Sequence, residues 1–205
     1  MTSIITGDII KSRTLKKPGL WLSTLKKALT TIDSDESNWE IFRGDSFQIE
    51  VPNITESFQV ALYIKACVKC IKDLDVRLAI GIGTKNFEGQ KITESNGEAF
   101  QFSGDTLETL KKEKVNLKIK TTNSHLDKEL NLYFKLALIV MDHWTTNSAE
   151  IVKLTLERPT ALQEELGKII GINQNAISGR QKRAHLDAIL ELDALYREKI
   201  NTLKG

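Results

Sequence analysis

The sequence predicts an α+β chain in two parts, mixed strands and helices over 1–122 and an all-α part over 123–205. Three observations carry this reading. Ile4, Ile5, Ile9 and Ile10 surround Thr6-Gly7-Asp8 in a short β-branched run, and Val76 to Gly83 (VRLAIGIG) is the most strand-like run in the chain. From about Leu126 every periodic segment is helical instead. The composition shifts near Thr122 to Ser124.

Taken in order, the first run reads as a buried strand ending at Asp8. After the basic segment Lys11 to Lys17 and a Pro18-Gly19 turn, Leu20, Trp21, Leu25, Ala28, Leu29 and Ile32 recur at helical spacing. Asp33 to Asn38 is a polar loop. Trp39 to Phe42 and then Phe47, Ile49 and Val51 alternate about Arg43-Gly44-Asp45-Ser46, the pattern of a β-hairpin with Asp45 at its turn. Pro52 ends the hairpin, and Thr55 to Leu74 is expected as one amphipathic helix. Gly81, Gly83 and Gly89 are expected to release the Val76 strand into a loop, a helix runs on from Asn96-Gly97 to about Lys114, and Asn116 to Thr121 suits a closing edge strand. Strand, helix, hairpin, helix, strand is the split βαβ order of a ferredoxin-like domain. In the second part, helices are expected over Leu126 to Trp144, over Ala149 to Leu156, in the two segments of the motif described next, and over Leu186 to Leu203. Leu130 to Val140 is apolar nearly all round, so it is either sandwiched between the two parts or used in a dimer.

The stretch around which the chain is organised runs from Leu162 to Ala184. Leu162, Leu166, Ile169 and Ile170 sit at helical spacing, and Gly171 stops that helix with a residue that tolerates left-handed backbone angles. Asn173 can cap a second helix, small Gly167 lets the two helices approach, and Ile172 and Ile177 fill the angle between them. These are the parts of a helix-turn-helix over about 161–184. Gln174, Asn175 and Ser178 fall near the start of the second helix and suit base edges, while Arg180, Lys182 and Arg183 suit phosphates, so DNA is the expected partner. An ordinary helical hairpin with a solvated basic face is the alternative. It draws on Arg180 and Gln181, which stand where a third apolar contact is often found.

With 205 residues, 40% hydrophobic, 27% charged and a net charge of +2, the chain has the composition of a globular protein whose nucleic-acid binding must come from a local basic face. MTSIITGDII has no basic start or cleavage site, and Leu136 to Met141, the longest apolar run, is far too short for a bilayer. A cytoplasmic protein with no membrane partner is expected. Cys67 and Cys70 share a helix face without a second ligand pair, which points to core packing rather than zinc. His125, His143 and His185 all fall in the helical half, and no Ser/His/Asp or Cys/His arrangement is legible.

If Asp8 ends a strand and Asp45 sits on the turn of a neighbouring hairpin, both carboxylates arrive at one edge of one sheet. There they could hold Mg²⁺, which takes one or two carboxylates and completes its shell with phosphate and water. Gly7 and Gly44 would let the backbone approach a nucleotide, with Lys11, Arg13 and Arg43 as nearby cations. The plainer alternative has Asp8 capping a loop and Asp45 serving as a turn residue.

Thr6-Gly7-Asp8-Ile9-Ile10-Lys11-Ser12-Arg13, Arg43-Gly44-Asp45-Ser46-Phe47-Gln48 and Arg77-Leu78-Ala79-Ile80-Gly81-Ile82-Gly83, followed by the helix-turn-helix, resemble the SatD family of bacterial proteins over nearly the whole chain. The first three motifs also resemble, more distantly, the class III nucleotidyl cyclase fold. That resemblance implies a metal site at Asp8, Ile9 and Asp45. Cyclases of that class present an asparagine and an arginine to the transferring phosphate from the helix after the glycine-rich strand, whereas the comparable stretch here, Gly97 to Asp105, offers Gln101 and Asp105. An acid where a cation is needed argues against efficient nucleotidyl transfer. The expected function is therefore a DNA-binding transcriptional regulator, a homodimer whose cyclase-like part senses a metal ion or nucleotide. The alternative is a Mg-dependent nucleotidyl- or phosphoryl-transfer enzyme using Asp8 and Asp45, with the helix-turn-helix as a docking element.

Overall fold

The computed structural model describes residues 1–12 and 18–204, and among them the chain is a mixed α+β fold with one five-stranded sheet and eight α-helices. Strands β1 (Thr2–Ile10), β2 (Trp39–Phe42), β3 (Ser46–Val51), β4 (Asp75–Gly83) and β5 (Leu117–Lys120) lie in the order β2-β3-β1-β4-β5. β1 is central and antiparallel to both neighbours, and β5 alone runs parallel to the strand beside it. The helices are α1 (Pro18–Ile32), α2 (Ser57–Lys69), α3 (Glu98–Glu113), α4 (Ser124–Met141), α5 (Thr146–Glu157), α6 (Gln163–Ile170), α7 (Gln174–Ala184) and α8 (Leu186–Asn201).

β1 is buried along almost its whole length, as a central strand covered on both faces must be. Ile5 and Ile9 join the main core with Leu25 and Leu29 of α1 and Phe58 and Leu62 of α2. The alternate residues meet α3, where Ile4 packs with Ala99 and Phe100 and the Thr6 hydroxyl lies 2.8 Å from that of Ser103. The strand continues two residues beyond Asp8, because Ile9 and Ile10 still pair with Val76 and Asp75. Gly81 does not open a loop. It lies inside β4, where a Cβ would stand 2.2 Å from the Ala99 carbonyl oxygen, so its lack of a side chain is what lets α3 press onto the sheet.

Helix α2 is shorter than the amphipathic pattern suggests: a 3₁₀ turn at Ile54–Glu56 precedes it, and Asp73, at φ 67°, helps turn the chain into β4. Helix α4 divides by face. Leu126, Leu130, Phe134, Leu138 and Met141 pack inward, with Phe134 stacked on Phe58 at 4.7 Å between centroids, while Leu132, Leu136 and Ile139 are more than half exposed. Cys67 is buried and Cys70 half-buried, and burial pushes their thiols up to about 12 and about 11, so both rest protonated. No described helix is long and apolar enough to cross a membrane.

One polar cluster crosses this apolar interior. Lys65 of α2, 1% exposed, places its ammonium 2.7 Å from Asp75 at the start of β4 and 2.7 Å from Asp142 at the end of α4. Lys69 bonds the second oxygen of Asp75 and the Asp142 carbonyl, and Asn116 donates to the second oxygen of Asp142. Removing one member leaves buried charge uncompensated. Lys65→Met is accordingly expected to cost about 3–5 kcal/mol in denaturant-induced unfolding, and a loss under about 1 kcal/mol, the scale of an exposed pair, would show that the cluster does not hold these elements together.

Candidate functional site

Two regions of the chain gather the residues singled out above. In the first, α6 runs into α7 through a three-residue turn whose parts have separate jobs. Gly171 adopts φ 73°, Ile172 donates its N–H to the Gly167 carbonyl, and Asn173 accepts from the Ala176 N–H with its side chain. A Cβ on Gly167 would meet the Ile172 carbonyl oxygen at 2.5 Å, so the close approach of the turn to α6 requires glycine. Leu166 and Ile177 are buried between the helices.

The positions that lacked an apolar contact in sequence are filled by polar clips. Gln163 of α6 donates to the Gln181 side chain at 2.7 Å, and Arg180 pairs with Glu150 of α5. Arg180 is thus turned toward α5, its side chain only 17% exposed, rather than presented with the other cations. Gln174, Asn175, Lys182 and Arg183 are exposed, and Ser178 is half-buried. At about 100° per residue, Asn175 and Lys182 stand on the side of α7 opposite Ile177 and Ala184. The far end of α7 is tied by Trp144, whose indole N–H donates to the Ala184 carbonyl at 3.0 Å. No acidic side chain lies on α7, and helix α6 directs Glu164 to Lys168 instead. This arrangement offers amides and two cations to a polyanion along one open face.

The second region is the end of the sheet where β1 finishes. Arg43, Gly44 and Asp45 make the hairpin turn, with φ 50° and 87° at the first two, and the Asp45 carbonyl accepts from the Ile9 N–H at 3.0 Å. The turn therefore lies beside Ile9, the residue after Asp8. The two carboxylates nevertheless have separate partners. Asp8 lies directly across the β1–β4 ladder from Arg77, and the guanidinium grips both of its oxygens at 2.8 Å. Asp45 accepts from the Ser12 hydroxyl at 2.6 Å. Gly7 makes room for the Phe47 ring, which a Cβ would meet at 2.5 Å, whereas Gly44 faces open space. Lys11 follows β1 at φ 64°, and Arg13 lies outside the described residues. Gln101 and Asp105 are exposed on α3. No group of three or more His, Cys, Asp or Glu side chains fit to hold a metal occurs among the described residues.

Arg77 is the residue that sequence reading passed over. It stood in the VRLAIGIG run without a role, and only the register that sets it opposite Asp8 reveals one. In this arrangement Asp8 is already neutralised, and a divalent ion must compete with a bidentate guanidinium for it. The donor set therefore does not fit a two-carboxylate magnesium site as it stands. Arg77→Met is expected to expose the carboxylate, so that Mn²⁺ titration followed by electron paramagnetic resonance detects binding absent from the native chain and absent again from Arg77→Met with Asp8→Asn. Equal Mn²⁺ binding by the native chain would show that Arg77 does not compete for Asp8.

Comparison of the chain with protein-family models, with curated proteins and with solved structures found no match.

Proposed function

We propose that the chain is a DNA-binding transcriptional regulator in which α6 and α7 form a helix-turn-helix and the sheet-bearing part, a ferredoxin-like unit of cyclase-like type, senses a small ligand. The observation that carries this reading is the open face of α7, where Asn175 and Lys182 project away from the packed Ile177 and Ala184, with Gln174 and Arg183 exposed beside them. An eleven-residue helix reads few base pairs, which favours two copies on a two-fold site. The apolar stripe Leu132, Leu136 and Ile139 on α4 is the surface that two copies would bury. For the sheet-bearing part, support comes from the strand order and from the connection strand, helix, hairpin, helix, strand, to which α3 and β5 are added.

A second reading, Mg-dependent nucleotidyl or phosphoryl transfer, draws on the Asp45 turn bonded beside β1. Against it stand the Asp8–Arg77 pair and the exposed Gln101 and Asp105 of α3 in place of a cation at the phosphate. Assays with ATP and GTP in Mg²⁺ or Mn²⁺ are expected to show no turnover. Robust turnover lost on Asp8→Asn would promote the enzyme instead.

The regulator is tested by anisotropy titration against genomic fragments at several salt concentrations. Lys182→Ala and Arg183→Ala should weaken binding to all sequences and each lower the salt slope by about one. Asn175→Ala should instead relax base preference, at about 1–3 kcal/mol on a preferred site. Two chains should bind per site, and Leu136→Glu should abolish that stoichiometry. Absence of binding at low salt would remove the regulator reading.

A further inference from the structure

Helix α7 carries a glycine at the centre of its open face. Gly179 follows Asn175 by one helical turn and precedes Lys182 by another, so at about 100° per residue it stands between them, on the side away from the packed Ile177 and Ala184. A glycine there is costly, because it is among the weakest helix formers and alanine is the strongest. The other glycines of the motif have reasons in the fold. Gly167 admits the Ile172 carbonyl oxygen at 2.5 Å from where its Cβ would stand, and Gly171 takes φ 73°. Gly179 has neither reason. Its φ is not positive, and among the described residues a Cβ there would have within 4 Å only the Arg183 guanidinium, at 3.3 and 4.0 Å.

The bare backbone is therefore open to something outside the chain. Without a Cβ, a surface laid along the row from Asn175 to Lys182 can come closer to the helix by about 1.5 Å, one carbon–carbon bond length. The side chains around the glycine depend on that depth. Asn175 and Ser178 are short, and a standoff of this size stretches a hydrogen bond of about 2.9 Å to a base edge beyond bonding range. Arg183 lies back along the helix with its guanidinium beside the bare patch, and no acidic side chain on α7 opposes the phosphates that would flank it.

We propose that Gly179 is the point of closest contact between α7 and duplex DNA, a positioning residue that sets the depth at which Asn175, Ser178 and Lys182 meet the major groove. This deepens the regulator reading and rests on it.

The experiment measures affinity and base preference of the full chain by anisotropy titration, beside thermal unfolding, for the native protein, Gly179→Ala, Arg183→Ala and the double variant. Gly179→Ala is expected to raise Tm by about 2–4 °C. It should nevertheless weaken a preferred site about tenfold, the scale of one lost base contact, and random sequence much less, since that is held through phosphates. In the Arg183→Ala background the same change should cost the same factor, because the methyl group obstructs DNA and not the guanidinium. Gly104, in the middle of α3 where a Cβ would meet nothing within 4 Å, supplies the control: Gly104→Ala should raise Tm alike and leave DNA affinity unchanged. Native affinity and preference in Gly179→Ala, or an equal loss on every sequence, overturns the proposal. So does a penalty that vanishes once Arg183 is removed, which would show that the glycine only seats that side chain, or a fall in Tm, which would show that it serves the fold. A native chain that binds no DNA at low salt is a different failure: it removes the regulator reading, and this inference with it.

Discussion

The arrangement of elements depends on one buried ammonium. Lys65 is almost wholly removed from water, and the several kcal/mol lost in stripping its hydration are offset only while two carboxylates remain in contact with it. Those carboxylates belong to the start of β4 and the end of α4, so the condition is geometric: α2, β4 and the α4–α5 corner must keep one spacing. Apolar packing alone tolerates sliding of a helix along a sheet, because dispersion has no direction. The Lys65–Asp75–Asp142 cluster does not, since a shift leaves a charge unpaired in a low-dielectric interior. Its second layer, Lys69 and Asn116, satisfies the remaining oxygens and spreads the same constraint to the residue ahead of β5.

The sheet shows a related division of labour. The α1–α2 face of β1 is apolar, with Ile5 and Ile9, while the α3 face alternates Ile4, Thr6 and Asp8. Thr6 lies within bonding distance of Ser103 on α3 and accepts from Gln48 across the ladder, and Asp8 meets Arg77 near the sheet's end. Both polar groups of this face are buried and both are partnered, Thr6 by hydroxyl and amide groups and Asp8 by a guanidinium. Asp8 is therefore explained without any ligand: it is the partner that lets Arg77 lie partly buried, its side chain 25% exposed.

What the sequence made legible follows from how local each feature is. The alternation in Trp39–Phe42 and Phe47–Val51 and the helical spacing around Gly167 and Gly171 depend on near neighbours, and those elements lie where the patterns put them. The strand at Val76 was visible, but Gly81 read as a breaker because its true cause, contact with Ala99 and Ser103 on another element, has no local signature. The Asp8–Arg77 pair joins residues 69 apart in the chain and the Lys65–Asp142 pair residues 77 apart, so both depend on register and docking. Arg180 was placed with Lys182 and Arg183 by charge alone. Its direction is set by Glu150 on a helix whose position the sequence does not specify.

Helix α7 is gripped along one side of its C-terminal half, at the consecutive Arg180 and Gln181 and again at Ala184. Gln163 holds Gln181 from α6, α5 holds Arg180 through Glu150, and Trp144 holds the final carbonyl. A rod fixed at three points on one side has its opposite side fixed as well, so the bearing of Asn175 and Lys182 is inherited from α5 and from the corner before it. That corner includes Asp142, which Lys65 ties to the sheet. A tilt of α5 relative to β4 is thus resisted by a buried charge cluster and transmitted, if it occurs, to α7 through contacts that are short and directional.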